Sequence, residues 1–297
     1  MQEDIFHLRY GFFDNQIIEK EDRKRMKRIR LTVAYDGTDY CGWQVQNNVA
    51  TIEGELNTVL TQLTGQTVKV IGASRTDAGV HARGNVAVFD TESSIPPERF
   101  LYAVNALLPE DIVVVDSCEV AADWHPRHCN TEKTYEYRVL NQKLPDPMRR
   151  RDTYFVSFPL DLERMRQAAG YLEGEHDFKS FCNVHTHVED TVRTIYRLEV
   201  IREENVITFR VRGNGFLYNM VRILAGTLIG VGRGLIDPEE IPAMLEAKDR
   251  QAAGMTVPPQ GLTLMKIDYL DGRVQTGGKG RRLKAEPGEG QLFRTSL

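Results

Sequence analysis

The order of predicted secondary structure repeats along the chain, and this repetition constrains the fold more than any other feature. Residues 28–35, RIRLTVAY, alternate apolar and polar side chains as a strand does. Apolar residues at helical spacing then follow Thr51 and stop before Gly65. The rest of the first half predicts two strands, a helix and a strand, at 67–73, 84–90, 96–106 and 111–120.

The second half shows the same order. Its patterns predict strands at 133–141, 193–202, 206–213 and 261–270, and helices at about 162–172, from Phe216 and from Asp237. We therefore predict an α+β fold of two tandem split-βαβ units, ferredoxin-like or RNA-recognition-like, with mostly antiparallel sheets packed by helices. An active-site cleft is expected between the two units.

The 297 residues are enough for two domains of about 130 residues each. We predict an N-terminal extension at 1–27, a first domain at 28–130 and a second at 131–270. The Gly-rich, charged segment 271–297 lacks periodic apolar residues and is predicted to be a flexible basic tail.

Composition excludes several classes of protein. No apolar run approaches the roughly 18 residues of a membrane span, and no secretory signal is visible, which predicts a cytoplasmic protein. The four cysteines form no CxxC pair, so we expect reduced thiols and no disulfides.

Basic residues are clustered although the net charge is -4. Residues 19–30 hold seven basic side chains against three acids, and further clusters lie at 148–151 and 277–284. Such runs are either solvated surface or a binding site for a polyanion, and both interpretations stay open.

No cofactor motif is complete. The GGKG at 277–280 cannot be written as a phosphate-binding loop, and Gly213-Asn214-Gly215 does not complete GxGxxG. Cys182, His185 and His187 lack the paired spacing of a structural zinc site. We therefore expect no cofactor and no metal.

The segment 72–82, GASRTDAGVHA, is the strongest candidate for a site. It follows a predicted strand, and its small residues allow another backbone to approach while Arg75, Asp77 and His81 supply charge and hydrogen bonds. The alternative is a plain loop in which Asp77 caps its own turn.

A second feature favours the functional interpretation. The predicted helix at 216–226 is apolar almost all round and therefore buried, yet Arg222 lies in its middle. A buried guanidinium needs an anion, and Asp77 is the natural partner. The pair would keep Asp77 ionised and hence nucleophilic.

The chain resembles the tRNA pseudouridine synthase A family over about residues 28–270. The motifs that carry the resemblance are SRTDAGVHA (74–82), YDGTDYCGWQVQ (35–46), KTYEYRV (133–139), GEHDFKSFC (174–182), RTI (193–195), GNGFLYNMVRILAGTL (213–228) and PPQGL (258–262). The resemblance implies isomerisation of uridine to pseudouridine in the anticodon stem-loop of tRNA, by a homodimer without cofactor or metal.

The resemblance also implies roles for individual residues. Asp77 would be the nucleophile, Tyr135 would stack on the target base and assist proton transfer, and Arg75 would hold the extruded nucleotide. Arg222 and Leu217 would flank the nucleophile and the base. Plainer interpretations are a core tyrosine, a phosphate-binding surface arginine and a core leucine.

Rival functions remain open at this stage. One is a related synthase that modifies other uridines or another RNA, and another is a non-catalytic RNA-binding protein. A glycosidase or nucleosidase would require two carboxylates around one cleft, whereas only Asp77 stands out. For the loop around Gly42 and Trp43, the alternatives are contact with RNA and a tight turn followed by a core tryptophan.

Overall fold

Ten strands form one sheet in the computed structural model, which describes residues 25–186 and 188–270. The strands are β1 Lys27–Tyr35, β2 Ile71–Gly72, β3 His81–Thr91, β4 Ile112–Val120, β5 Thr131–Asn141, β6 Tyr154–Val156, β7 Gly174–Asp177, β8 Val192–Glu203, β9 Val206–Gly213 and β10 Leu262–Tyr269. The predicted α+β class, with a mostly antiparallel sheet packed by helices, is confirmed.

In the described part of the chain five α-helices pack on the sheet, namely α1 Ile52–Thr64, α2 Phe100–Asn105, α3 Leu162–Leu172, α4 Met220–Gly232 and α5 Ile241–Ala247. The first of them has the predicted ends. The Thr51 hydroxyl accepts a hydrogen bond from the Gly54 amide at 3.3 Å, and Gly65 ends the helix at φ 67°. Its face of Ile52, Leu56 and other apolar residues is fully buried in the core.

The two halves share one strand order. The long path is β4-β1-β3-β10-β5-β9-β8-β7, and β2 lies on the other side of β3 from β1. The first half has the order β4-β1-β3-β2. The second half has the corresponding order β10-β5-β9-β8 when the short strands β6 and β7 are left out. This order brings β3 and β5 to the middle of the molecule.

We expected separate sheets, and that expectation was wrong, because β10 joins the halves. Thr263 and Leu264 pair in parallel with His81 and Ala82 of β3. The other edge of β10 pairs antiparallel with β5. Because both edges of β10 are paired, this strand joins the two halves into one sheet. The domain division at residue 130 stays a prediction.

Several predicted boundaries were also wrong. The helix predicted from Phe216 begins at Met220, because Asn219 takes a left-handed conformation at φ 61° directly before it. Only Ile71–Gly72 of the predicted strand 67–73 is paired. The short strands β6 and β7 were not predicted.

Burial alternates along the central strands. On β9, Ile207, Phe209 and Val211 are buried beneath the helices, whereas Arg210 and Arg212 are exposed on the opposite face. No helix in the described residues is long and apolar enough to cross a membrane.

No disulfide joins Cys41, Cys118, Cys129 and Cys182, all of which lie in the described residues. Of the predicted extension at 1–27, residues 1–24 lie outside the described residues, and so does the predicted tail at 271–297.

Candidate active site

Asp77 lies in the loop between β2 and β3, which a second loop supports from one side. The Trp43 amide donates to the Thr76 carbonyl at 3.0 Å, and the Gly79 amide donates to the Tyr40 carbonyl at 3.2 Å. A Cβ on Gly42, whose φ is +87°, would lie 2.7 Å from the Thr76 carbonyl oxygen. Only glycine therefore permits this close approach.

Trp43 is a core residue, as one of the two interpretations of this supporting loop predicts. Its side chain is buried, and its indole packs directly against Gly72. The tryptophan thus belongs to the core and holds the start of the Asp77 loop in place.

Asn85 fixes the same loop from the sheet side. Its Nδ2 donates to the Ser74 carbonyl at 3.0 Å and its Oδ1 accepts from the Ser74 amide at 3.2 Å. The neighbouring Thr76 hydroxyl hydrogen-bonds the Tyr35 hydroxyl at 2.7 Å. The sequence interpretation missed Asn85, although one amide within the apolar strand GNVAVFD was an available signal.

Asp77 and Arg222 form the ion pair that the sequence predicted. Arg222 Nη1 lies 3.3 Å from Asp77 Oδ2 and 3.0 Å from Asn219 Oδ1, and Nε donates to the Val257 carbonyl at 2.8 Å. The predicted setting needs correction, since Arg222 is in the first turn of α4 rather than mid-helix. Its side chain is 15% exposed and that of Asp77 is 22% exposed. The pair thus lines an opening to solvent.

Burial raises the pKa of the Asp77 carboxyl above its usual range, and the charge and hydrogen bond of Arg222 oppose that rise. The carboxylate is consequently poorly hydrated while it has one cationic partner. A carboxylate in this state is a better nucleophile than one fully solvated in water.

Tyr135 on β5 borders the Asp77 loop. Its hydroxyl hydrogen-bonds Ser74 Oγ at 2.8 Å, and its ring meets Phe216 edge to face at 5.2 Å between centroids. Burial, with the nearby charge of Asp77, raises the pKa of Tyr135 to about 12. The phenol therefore stays protonated at neutral pH and has a proton to give.

The other two predicted residues differ in exposure. Leu217 is buried in the segment that precedes α4. Arg75 is exposed, and among the described residues its side chain has no ion-pair partner. The structure thus places Arg75 two residues from Asp77 with its guanidinium available for a ligand.

Residues 257–261 hold both halves of the site. Besides the Val257 carbonyl on Arg222, the Pro258 carbonyl accepts from the Tyr137 hydroxyl at 2.8 Å. The Gln260 carbonyl lies 3.1 Å from Nε2 of His81 at the start of β3. The sequence interpretation noted PPQGL only as a motif and gave it no structural role.

The remaining predicted clusters contribute less to the site. Arg149 pairs with Asp152 at 3.5 Å and Arg151 with Asp36 at 3.7 Å, which partly neutralises the cluster at 148–151. The cluster at 277–284 lies outside the described residues. Within those residues no group of three or more His, Cys, Asp or Glu side chains could hold a metal ion.

Comparison with known proteins identifies the family. A family model described as tRNA pseudouridine synthase matches residues 31–128 and 168–270. A protein of Brevibacillus brevis named tRNA pseudouridine synthase A is 48% identical over 244 residues, covering 82% of this chain and 100% of the relative. One of the same name from Halalkalibacterium halodurans is 47% identical, covering 84% and 95%.

Solved structures resemble this chain only weakly. A crystal structure of the archaeal box H/ACA sRNP Nop10-Cbf5 complex covers 68% of this chain and 44% of the matched chain, with 14% identity and a TM-score of 0.30. The sequence matches are much stronger. The family model covers four of the five predicted site residues, Arg75, Asp77, Leu217 and Arg222, whereas Tyr135 lies between its two matched segments. The chain therefore belongs to the tRNA pseudouridine synthase family, whose members are isomerases that convert uridine to pseudouridine in tRNA.

Proposed function

We propose that this protein isomerises uridine to pseudouridine in the anticodon stem-loop of tRNA, with Asp77 as the nucleophile. The observation that carries the proposal is the Asp77–Arg222 pair, because it supplies a poorly hydrated carboxylate that has a cationic partner and stays partly open to solvent. Action on tRNA rests on the family, and the choice of the anticodon stem-loop rests on the resemblance of the motifs.

The reaction breaks the N1–C1′ glycosidic bond and forms a C5–C1′ bond, while a proton leaves C5 and N1 gains one. Asp77 adds to the sugar or to the base and leaves again, so that no group is consumed. Tyr135, which carries its proton at neutral pH, would assist the proton transfer. Arg222 keeps Asp77 ionised between turnovers.

Arg75 and Leu217 complete the proposed site. The target base must leave the stack to reach Asp77, and the available guanidinium of Arg75 would hold the extruded nucleotide. Leu217 would close the apolar side of the base pocket. A homodimer in the cytoplasm is proposed from the family resemblance alone, and size-exclusion chromatography with light scattering tests the dimer.

The test uses Asp77→Asn with tRNA from a strain that lacks the gene. Wild-type protein should form pseudouridine, detected by carbodiimide labelling, whereas Asp77→Asn should bind tRNA within about tenfold of wild type and form none. Asp268→Asn is the matched control, because its carboxylate pairs locally with Lys266 on β10.

Three results would contradict the proposal. Retained turnover in Asp77→Asn would remove the nucleophile assignment. Modification at uridines outside the anticodon stem-loop would identify a related synthase instead. Release of free uracil rather than mass-silent isomerisation would identify a nucleosidase.

A further inference from the structure

Lys133 is a half-buried cation beside the proposed site that the reaction above does not use. It precedes Tyr135 by two residues on β5, so both side chains leave the same face of the sheet. Its Nζ donates to the Ala73 carbonyl at 3.3 Å, directly before Ser74 and the Asp77 loop. The ammonium thus lies beside the start of the Asp77 loop.

The surroundings of Lys133 are positive. Within the described residues its ammonium hydrogen-bonds a neutral carbonyl, and no carboxylate lies within ion-pair distance of it. Burial lowers the pKa of Lys133 to about 8, and the charges of Arg127 and Arg193 contribute to that lowering. Across the sheet Lys133 pairs with Gly213, and Gly213 pairs with Ile195, two residues after Arg193. Within the described residues no acid forms an ion pair with Lys133, Arg127 or Arg193.

The two arginines are available to a ligand. Among the described residues, Arg193 Nη1 donates only to the backbone carbonyls of Asp190 and Val192, at 3.1 and 2.5 Å. Its side chain lies near Gly215, in the segment that leads to Leu217. Arg127 is exposed, and within the described residues its side chain has no ion-pair partner.

An unpaired group of cations beside the Asp77 loop fits an anion, and the anion must reach the site together with the target base. RNA backbone phosphates meet both conditions, since each nucleotide that enters the site brings one.

We propose that Lys133, Arg127 and Arg193 bind backbone phosphates of the RNA strand next to the target uridine. The inference rests on the proposed function, because it takes RNA as the ligand. It adds a positioning site, distinct from the Asp77–Arg222 pair, that fixes the strand before the base is extruded.

The test measures tRNA affinity against salt concentration for Lys133→Gln, Lys133→Arg and Arg193→Gln. Lys133→Gln and Arg193→Gln should each weaken binding about tenfold and reduce the slope of log K against log salt by roughly 0.7–0.9. Lys133→Arg should keep the wild-type slope, because the charge is retained. The rise in KM of Lys133→Gln should exceed any fall in its kcat.

The matched control is Arg202→Gln. In the sheet, Arg202 of β8 lies opposite Ile207 of β9, and Ile207 lies opposite Val139 of β5. Val139 is six residues from Lys133 along β5, which is about 20 Å. The Arg202→Gln substitution therefore removes one positive charge far from Lys133 and should leave the affinity and the salt slope unchanged.

The failures of the two proposals are distinguishable. If wild-type protein forms no pseudouridine in tRNA, the proposed function fails. If wild type is active but Lys133→Gln keeps the wild-type affinity and salt slope, only the phosphate site is refuted. A fall in kcat at unchanged KM would likewise overturn it, since Lys133 would then act in the chemistry.

Discussion

Replacing Arg222 with methionine tests the central feature of the proposed mechanism. The side chain keeps its reach but loses its charge, so Asp77 loses its cationic partner at 3.3 Å. Asn219 Oδ1 and the Val257 carbonyl lose their donors as well.

The expected loss of stability is moderate. An unsatisfied polar partner costs about 1–3 kcal/mol when fully buried, and a broken buried ion pair costs more. Both Arg222 and Asp77 keep some exposure to solvent, which reduces the penalty, so we expect about 2 kcal/mol. For a chain of this size that lowers Tm by roughly 4–8 °C. Arg222→Met should therefore stay folded at 25 °C.

The pH dependence has a definite sign. Burial already raises the pKa of Asp77, and without Arg222 it rises further. The nucleophile is active only when ionised, so the acid limb of the rate profile should move to higher pH in Arg222→Met. Within that limb the rate should fall about 10- to 1,000-fold, since opposite charges at this distance have effects of that size.

Stability follows the same linkage. Because the folded pKa of Asp77 exceeds its unfolded value, ionisation of Asp77 destabilises the fold as pH rises through the folded pKa. The stability deficit of Arg222→Met should therefore be smallest at acid pH. Removing the carboxylate as well should relieve it, so Asp77→Asn with Arg222→Met should cost less than the two single changes added.

The assay is single-turnover pseudouridine formation between pH 5 and about 9, with Arg222→Lys as the conservative control. Arg222→Lys should keep most of the wild-type profile because it keeps the charge. The reasoning would be refuted if Arg222→Met kept wild-type activity and its acid limb did not move. It would also be refuted if the stability effects of Asp77→Asn and Arg222→Met were strictly additive.

Three further predictions concern other parts of the molecule. Tyr135→Phe should bind tRNA within about twofold of wild type but lose at least about 100-fold in single-turnover rate, and an unchanged rate would remove Tyr135 from proton transfer. Gly42→Ala should lower the free energy of unfolding in urea by about 1–3 kcal/mol, whereas Gly170→Ala, whose added Cβ meets nothing within 4 Å inside α3, should raise it by about 0.5–1 kcal/mol; equal effects would contradict the close approach at Gly42. Deleting residues 271–297 should weaken tRNA binding mainly at low salt and leave turnover at saturating tRNA intact. An unchanged salt slope would show that the basic cluster at 277–284 does not contribute to binding.

The sequence was informative wherever a local rule applies. Thr51 and Gly65 define both ends of α1 through side-chain capping and a left-handed residue, and neither needs a tertiary partner. The Asp77–Arg222 pair was predicted because an arginine within an apolar helix requires an anion, and Asp77 was the carboxylate in the candidate site segment.

The sequence failed where the partner of a segment decides its structure. Most of the predicted strand 67–73 is unpaired because the amides of Val68 and Val70 donate to side chains of α1, Thr61 and Asn57, at 3.0 and 2.8 Å. A periodic pattern indicates a strand but not its neighbour. The sequence pattern therefore could not predict that β10 pairs with β3. It also could not predict that residues 257–261 support Arg222.

The central position of β10 also determines when the protein can become active during synthesis. Until the ribosome has added Leu262–Tyr269, the edges of β3 and β5 that will receive it are open, and open edges invite pairing with other chains. The carbonyls of Val257 and Pro258 arrive only just before that strand. The nascent chain therefore contains Asp77 well before it contains Val257, Pro258 and β10, and we expect the site to be assembled only after β10 has been added.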